Sequence, residues 1–263
     1  VIAVDAMGGD FGPSVVVPGA INASRLYDIQ VILVGDQKKI SAELETLDVK
    51  GAFYEVVHAP DVVRMNDKAS DVLRRKKEAS IQIACRLVRD GVADGVVSAG
   101  HSGASVACGI FTVGRLPGVE RPALAAMLPT EKNPVVVIDA GANVDCRPYH
   151  LFQFGLMGEA FARDLLNYPA PRISLLSIGE EEGKGNSQVK EAYELLKIAQ
   201  NINFVGNAEG RDIFTGNIDV VVCDGFVGNV VVKMSEGLAA SLVRMLKRLF
   251  TSGVLPALGG LLA

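Results

Sequence analysis

Residues 1–13 read VIAVDAMGGDFGP, and this stretch decides the fold class. Val1–Val4 is apolar throughout, as expected for a strand that is covered on both faces. The strand then meets a carboxylate at Asp5 and a glycine-rich loop with a second carboxylate, Gly8-Gly9-Asp10. A simple surface turn needs only one glycine. The stretch therefore predicts a buried strand that carries a polar, glycine-rich loop at the edge of a sheet.

The same pattern recurs at four further places in the chain. VSAGHSGAS begins at Val97, IDAGANVD at Ile138, SIGEEEGKGN at Ser177 and VCDGFVGN at Val222. Open α/β sheets bind ligands at the carboxyl ends of their strands. Glycine lets backbone N–H groups approach a ligand closely, and the start of a following helix favours an anion. One such loop is ordinary turn chemistry, but five together predict a polar cleft for an anionic ligand.

Short apolar runs alternate with segments of helical period along the whole chain. This alternation predicts right-handed crossovers and an α/β fold with a mostly parallel, doubly wound sheet. The fifth and sixth runs have no helix between them, which predicts one hairpin or a mixed sheet. The predicted strands are Val1–Val4, Gln30–Val34, Phe53–Val57, Gly95–Val97, Ala123–Met127, Val135–Ile138, Ile173–Ile178, Asn203–Val205 and Val220–Cys223, and the predicted helices run from Ser70 to near Gly91, Pro148 to Asn167, Ser187 to Ala199 and Asn229 to Phe250.

Composition excludes several classes of protein. The chain has 263 residues, is 49% hydrophobic and 21% charged, and is therefore expected to be globular. A formal net charge of −4 argues against a general nucleic-acid binder. Four scattered cysteines without a CxxC pair or a secretory signal predict reduced thiols in a cytosolic protein. The three histidines show no metal-ligand spacing, so no metal site is predicted.

Domain organisation is predicted to be simple. We expect a single α/β catalytic domain over residues 1–250, with a minor subdomain around 115–135 and a weak break near 115–121. No repeat of fixed period and no low-complexity linker divides the chain.

Two residues in the glycine-rich loops are candidates for chemistry. Lys184 is a cation at a predicted helix start, where it could hold an anion; alternatively it is a solvated lysine that pairs with one of Glu180–Glu182. His101 either acts on a ligand or caps a helix. The frame around Lys184 is not a Walker A motif, and no loop has the GxGxxG pattern of dinucleotide binding. Cys146 and Cys223 are interpreted as packing thiols, because no nucleophile elbow is present.

Six stretches together resemble the PlsX-type phosphate acyltransferase family. They are VIAVDAMGGDFGP, SAGHSGA, ERPALAAMLP, VVVIDAGANVDC, SIGEEEGKGN and DVVVCDGFVGNVVVKMSEG, and they span nearly the whole chain in the expected order. The resemblance implies a Rossmann-like three-layer sandwich, related to phosphotransacetylases and isopropylmalate dehydrogenases, in a homodimer. It also implies that a long-chain fatty acyl group moves from acyl carrier protein to inorganic phosphate, without a cofactor. The product, acyl phosphate, would then serve a membrane glycerol-3-phosphate acyltransferase in phospholipid synthesis.

The chain departs from the family pattern in two respects. It has His101-Ser102 where the family usually has Asn-Thr, which bears on any catalytic role of that side chain. Family members also continue past Ala263 with a Gly-Gly-Ala-Pro-type segment, so contacts from that segment are not part of this sequence.

The implied reaction needs orientation more than a protein nucleophile. Phosphate is itself nucleophilic near neutral pH, and a thiolate is a good leaving group. We expect Lys184 and the backbone N–H groups of Gly185, Gly103 and Gly228 to hold phosphate. The side chains of Asn143, Asn186, Asn229 and His101 are the candidate donors to phosphate or to the oxyanion. Asp139 and Asp224 would orient these donors or deprotonate phosphate. The predicted binding loops contribute Asp5, Gly8, Gly9, Asp10, Gly100, Ser102, Gly103, Gly141, Asn143, Gly185, Asn186, Gly225 and Gly228.

Two surfaces are predicted to bind larger partners. Arg74-Arg75-Lys76-Lys77 is a dense positive run that either docks the acidic acyl carrier protein or is a solvated helix face. Residues 238–263 form an amphipathic, apolar tip, which predicts peripheral attachment to the anionic inner face of the cell membrane; the alternative is a dimer interface. The membrane-facing residues would be Leu246, Leu249, Phe250, Leu255, Leu258 and Leu261.

Two rival functions remain open from the sequence. A phosphotransacetylase that uses short acyl-CoA would share the fold and the attack by phosphate, but would need neither the apolar tip nor the docking run. A non-catalytic membrane scaffold would bind a membrane yet release no thiol from acyl donors.

Overall fold

The structure is a computed structural model that describes residues 1–64, 66–67 and 69–251. It consists of two compact units, Val1–Gly118 and Val119–Ala263, each with its own sheet. The division falls inside the stretch 115–121. Leu255, Leu258 and Leu261 of the predicted tip lie outside the described residues.

The first unit contains a four-stranded parallel sheet with the strand order β3-β2-β1-β4. Asp5 ends β1 and lies in register with Ser98 at the end of β4, so the two glycine-rich loops of this unit start side by side. The elements are β1 (Ile2–Asp5), α1 (Pro13–Tyr27), β2 (Gln30–Gly35), α2 (Gln37–Glu45), β3 (Phe53–His58), α3 (Ala69–Arg75), α4 (Ser80–Arg89), β4 (Gly95–Ser98), α5 (Ser102–Cys108) and a π-helical turn (Gly109–Val113).

Both faces of this sheet are buried, as the uniformly apolar strands predict. Val4 and Leu33 point into one core cluster with Ile21 of α1, whereas Ala3 and Ile32 belong to a second cluster with residues of α4. Successive side chains of a strand point to opposite faces, so one short strand serves both cores.

The second unit contains a five-stranded sheet with the order β5-β6-β9-β7-β8. β5 runs antiparallel to β6, which confirms the predicted hairpin, and the other pairs are parallel. The elements are β5 (Ala125–Leu128), β6 (Val135–Ile138), α6 (Pro148–Leu166), β7 (Arg172–Leu176), α7 (Ser187–Lys197), β8 (Asn203–Ala208), a 3₁₀ turn (Asp212–Phe214), β9 (Val220–Val222) and α8 (Gly225–Phe250).

Helices α6 and α7 cover one face of this second sheet. Phe154 and Leu196 are fully buried against Ile173 and Val220 in its largest core cluster. α6 approaches the sheet closely at Gly158, where an added Cβ would lie 2.5 Å from Val220 Cγ1. Any larger residue at 158 would push the helix away from the strands.

The predicted helix from Ser70 to Gly91 is wrong in extent, because the chain forms two helices there. Residues 76–79 leave the helical path between α3 and α4. Lys76 is held by Asp67 Oδ2 at 2.5 Å and by the Val62 carbonyl at 2.9 Å, and the Asp61 carbonyl accepts from the Ser80 amide at 3.1 Å. These contacts with the preceding loop compete with a continuous helix. The sequence prediction also missed α1, α2 and α5, and it placed the start of α8 four residues late.

Candidate active site

The loop after β6 is organised around the buried carboxylate of Asp139. Its Oδ1 accepts from the amides of Leu124, Gly141 and Ala142 at 2.9–3.0 Å. Its Oδ2 accepts from the Asn143 amide at 2.7 Å and from Asn143 Nδ2 at 2.8 Å. Five donors occupy the two oxygens of a side chain that is fully buried. This geometry fits the orienting role predicted for Asp139 and does not support the predicted role in deprotonating phosphate.

The side chain of Asn143 is held within its own loop, which does not favour the donor role predicted for it. Its Nδ2 donates to Asp139 Oδ2 and to the Pro122 carbonyl oxygen, both at 2.8 Å. An amide nitrogen has two hydrogens, and both are therefore committed within the loop. The Asn143 carbonyl oxygen in turn accepts from the Gly225 amide at 2.8 Å, which ties the loop to the start of α8.

Two glycines at the start of α8 permit this close packing. A Cβ at Gly225 would lie 2.7 Å from the Asn143 carbonyl oxygen, and one at Gly228 would lie 1.8 Å from the Asp139 carbonyl oxygen. The Gly228 amide donates to the Asp224 carbonyl oxygen at 2.9 Å. This amide is bonded within the helix, which does not favour the role of phosphate donor predicted for it. Gly228 matters because it has no side chain.

Asp224 and Asn229 keep polar atoms free at the same place. Asp224 caps α8 through one oxygen, because Oδ1 accepts from the Val227 amide at 2.9 Å. Asn229 lies over Gly141, where an added Cβ would be 3.4 Å from Asn229 Cβ and 3.6 Å from its Oδ1. Within the described part of the chain, no hydrogen bond occupies the Asn229 side chain. Of the predicted polar groups in these two loops, Asn229 and the second oxygen of Asp224 remain able to act on a ligand.

The loop after β7 presents a turn of backbone amides at the start of α7. Gly185 has a φ of +102°, and a Cβ there would meet Val189 at 2.7 Å. Asn186 caps α7, with its Oδ1 accepting from the Val189 amide at 2.9 Å. The cap uses the oxygen of the amide group and leaves Nδ2 as a donor. The positive end of α7 therefore faces the space next to Gly185 and Asn186.

Lys184 lies in this loop as an exposed cation without a partner among the described residues. Its aliphatic stem packs on Gly179, where an added Cβ would lie 2.9 Å from Lys184 Cγ. The alternative pairing with its acidic neighbours is not observed: Glu180 pairs with Arg211 at 3.6 Å, and Glu182 pairs with Lys197. The ammonium group of Lys184 is thus free to bind an anion.

A cavity of about 490 Å³ lies at the carboxyl ends of β7 and β9. Its polar rim is formed by Ser177, Gly185, Asn186 and Asp224, which brings the loop after β7 together with the start of α8. The remaining lining is apolar and consists of Leu151, Leu175, Leu176, Ile178, Val189, Cys223 and Val227. A cavity with a few converging polar groups and an apolar wall is typical of a small-molecule site.

The cysteines nearest to these loops are not activated. Burial raises the pKa of the Cys223 thiol far above its usual value, and burial raises the pKa of Cys146 to about 11. Cys223 Sγ lies 3.6 Å from the Asp139 carbonyl oxygen, and Cys146 Sγ donates to the Asn143 carbonyl oxygen at 3.3 Å. Both are protonated packing thiols at neutral pH, whereas the thiolate is the nucleophilic form.

In the first unit, Asp5 joins its own glycine-rich loop to the loop after β4. Ser98 Oγ donates to Asp5 Oδ2 at 2.7 Å, and Asp5 is only 4% exposed. A Cβ at Gly8 would lie 2.8 Å from the Gly100 amide nitrogen, so the two loops are in direct contact. Gly9 adjoins Ala99, whereas Asp10 is exposed.

His101 caps α5. Its Nδ1 accepts from the Ala104 amide at 3.2 Å, so His101 has the capping role that was one of its two predicted roles. Ser102 and Gly103 follow as exposed residues of the first helical turn. The imidazole is thereby fixed through Nδ1, and Nε2 is the atom left for other contacts.

The predicted docking run is divided by the structure. Lys76 is bound to Asp67 and Val62, so it is not a surface cation for a partner. Arg74, Arg75 and Lys77 are all exposed. Arg74 and Lys77 line a cavity of about 680 Å³ together with Arg86, and Arg75 is not among its lining residues.

Helix α8 continues well past its first turn at the site, and most of its side chains are exposed. Its outer turns expose a row of apolar side chains, Leu238, Leu242, Leu246 and Leu249, each at least half exposed. By length and composition alone, the helix Gly225–Phe250 could cross a membrane, and only 6% of an apolar 18-residue stretch within it is buried. Exposed apolar rows of this kind are typical of surfaces that a membrane or further protein covers.

Comparison with solved structures defines the class of this protein. A phosphotransacetylase from Streptococcus pyogenes matches with a TM-score of 0.69 at 19% identity, and EutD phosphotransacetylase from Staphylococcus aureus with 0.64 at 20% identity. Each match covers 91% of this chain and 82% of the other. The chain therefore has the α/β fold of the phosphotransacetylases, which confirms the predicted Rossmann-like class.

Sequence comparison then gives the family. The family model described as "Fatty acid synthesis protein" matches residues 1–263. The chain is 70% identical over 263 residues to "Phosphate acyltransferase" of Nitratidesulfovibrio vulgaris (strain DP4) and 65% identical to that of Lawsonia intracellularis. Both alignments cover 100% of this chain and 76% of the relative. The chain belongs to this family of PlsX-type phosphate acyltransferases.

Proposed function

We propose that the protein transfers a long-chain fatty acyl group from acyl-acyl carrier protein to inorganic phosphate. A phosphate oxygen forms a bond to the thioester carbon, the carbon–sulfur bond breaks, and the carrier thiolate leaves and takes up a proton. Family membership supplies the reaction class. The observation that carries the proposal is the cavity at β7 and β9. Its polar rim includes Gly185 and Asn186 at the start of α7, directly after Lys184 in the chain, and its remaining lining is apolar.

Phosphate would be held by Lys184 and by the backbone amides of Gly185 and Asn186. The start of α7 favours negative charge at this position, and charge-assisted bonds to a lysine add to it. A phosphate fixed against the thioester carbon gains the advantage of orientation, which can supply roughly 7–11 kcal/mol of the barrier.

The oxyanion and the proton are assigned to the groups that the fold leaves free. Asn229 and the Nδ2 of Asn186 are the side-chain donors for the oxyanion, a contribution of roughly 3–4 kcal/mol per donor. The unoccupied oxygen of Asp224 is the acceptor for a proton from monobasic phosphate. A covalent acyl-cysteine is not part of this mechanism, because burial keeps Cys223 and Cys146 protonated.

The acyl donor is proposed to dock by charge. Acyl carrier protein is acidic, and Arg74 and Lys77 are exposed cations on one cavity of the first unit. Reversing both to glutamate should weaken donor binding and flatten its dependence on salt, as measured by titration at several ionic strengths. Reversal of Lys50, an exposed lysine outside that cavity, is the matched control, and equal affinity in both variants would place docking elsewhere.

The product and the exposed helix suggest where the protein works. Acyl phosphate carries a long apolar chain, and its consumer in phospholipid synthesis would be a membrane glycerol-3-phosphate acyltransferase. We propose that the protein is cytoplasmic, that the amphipathic stretch 238–263 attaches it to the inner face of the cell membrane, and that it forms a homodimer. The apolar row of α8 supports attachment or pairing, since either would cover it.

A donor comparison tests the proposed activity. Thiol release from long-chain acyl-acyl carrier protein should require phosphate and should produce acyl phosphate, which hydroxylamine traps. A phosphotransacetylase would prefer acetyl-CoA as donor. A membrane scaffold would release no thiol from either donor, and that outcome would refute the activity.

A further inference from the structure

The cavity at the ends of β7 and β9 has one polar rim and one long apolar wall. Leu151 and Leu175 close its inner side and are almost fully buried, while Leu176, Val189 and Val227 continue the wall. Ile178 extends the lining to solvent, because it is 82% exposed. The apolar lining therefore includes both core residues of the second unit and a residue at its surface.

This wall cannot serve phosphate. A phosphate ion needs hydrogen-bond donors and positive charge. Among the lining residues the donors lie on the rim, at Ser177, Gly185 and Asn186, next to Lys184 in the chain. A cavity of about 490 Å³ also exceeds what one small anion fills and lies within the range of organic ligands. The wall matches hydrocarbon, which gains free energy in proportion to the apolar area removed from water.

A buried hydroxyl marks the junction of the rim and the wall. Ser177 Oγ is buried and has no hydrogen-bond partner among the described residues. It lies 3.1 Å from the position that a Cβ on Gly185 would take. A buried unpaired hydroxyl is unfavourable, and a carbonyl oxygen of a bound ligand would accept from it.

We propose that this cavity receives the part of the fatty acyl chain next to the thioester, and that its volume sets the chain length at which kcat/KM stops rising. The proposal rests on the proposed function. The thioester carbonyl would lie at Ser177 and the rim, facing phosphate at Gly185 and Asn186, and the methylene groups would follow the wall towards Leu151 and Leu175. The residues that set chain length are then Leu176, Val189 and Val227.

The test is a profile of kcat/KM against acyl chain length, with thioesters of one carrier. In the wild-type protein kcat/KM should rise about fourfold per added methylene until the cavity is full, and should then level off. Val227→Phe fills the cavity from its accessible side and should move the plateau to shorter chains. Leu176→Ala enlarges the cavity and should move the plateau to longer chains. Val205→Phe, a change at a half-exposed position of β8 outside the lining, is the matched control.

Opposite shifts in the two cavity variants, with an unchanged control, would support the proposal. Thermal unfolding of each variant shows whether it is folded, and if Val227→Phe does not fold, Leu176→Ala alone decides the outcome. An unchanged plateau in folded Leu176→Ala would overturn the proposal. Phosphate-dependent thiol release by the wild-type protein is measured in the same assay, so failure of the activity is distinguished from failure of the chain-length site.

Discussion

At the scale of single residues, the structure separates side chains that hold loops in shape from those that remain available. Asp139 and Asp224 both follow an apolar strand, yet Asp139 has both oxygens occupied and Asp224 has one free. The side-chain nitrogen of Asn143 has both hydrogens bonded within its loop, whereas in the described residues no hydrogen bond occupies the side chain of Asn229. The candidate chemistry therefore rests on a small set: Lys184, Asn186, Asp224, Asn229 and the amide turn at Gly185.

Lys184→Ala should raise the KM for phosphate about tenfold or more, because a charge-assisted contact of roughly 1.5–3 kcal/mol is lost. Initial rates of thiol release at varied phosphate concentration measure this. Lys190→Ala removes an exposed lysine from α7 and should leave the KM unchanged. A KM within twofold of wild type in Lys184→Ala would remove Lys184 from the phosphate site.

Asp139→Asn should lower the free energy of unfolding by about 2–4 kcal/mol. The NH₂ group of the new amide would face N–H donors that are bonded to a carboxylate oxygen in the wild-type protein. Chemical denaturation measures the loss. Asp145→Asn, an exposed neighbour in the same loop region, should change stability by less than about 0.5 kcal/mol. Equal stability of the two variants would show that the hydrogen bonds of Asp139 do not hold the loop.

At the scale of secondary-structure elements, distant contacts decide where elements begin and end. The strands were predictable because short apolar runs of three to six residues are visible in the sequence. All nine are confirmed, with shifts of up to three residues at their ends. The division between α3 and α4 was not predictable from the sequence, because it depends on the contacts of Lys76 with Asp67 and Val62. The start of β7 is fixed in the same way by Asp219, whose carboxylate receives three donors from Arg172 at 2.7–2.9 Å.

The Arg172–Asp219 pair predicts a stability that depends on acid pH. Burial alone would raise the pKa of Asp219, but the hydrogen bonds and charge of Arg172 outweigh it and hold that pKa below its usual value. A carboxylate with a lowered pKa in the folded state stabilises the fold above the unfolded-state pKa of about 3.9 and loses this as pH falls. Asp219→Asn should cost about 1–2 kcal/mol at pH 7 and less below pH 4. Denaturation at pH 7 and pH 3.5 checks this; a cost that is the same at both pH values would contradict it.

At the scale of the whole molecule, the chain consists of two compact units. Helix α8 belongs to the second unit, and most of its side chains are exposed. The described part of α8 exposes Leu238, Leu242, Leu246 and Leu249. A membrane surface or a second copy of the chain would each cover them. The proposed homodimer and the proposed membrane attachment therefore compete for, or share, one helix.

A chain cut after Phe250 separates these contributions. If residues 251–263 supply the membrane anchor, the shortened chain should no longer float with vesicles that contain anionic lipid, while its oligomeric state in light scattering stays that of the full chain. Vesicles of neutral lipid are the control, because attachment by a basic amphipathic helix depends on anionic lipid. Flotation that persists after the cut would assign the membrane contact to α8 itself.

The sequence by itself determined the class of fold, the order of the strands along the chain and the loops that carry polar residues, because apolar runs and glycine-rich turns are local patterns. It also determined the family, through six stretches in a fixed order. Only the tertiary structure decided which polar atoms remain free. The partners that occupy Asn143 and Asp139 include Pro122 and Leu124 from the preceding strand region. Such contacts follow from the packing of β6 against its neighbours, and no spacing in the sequence encodes them.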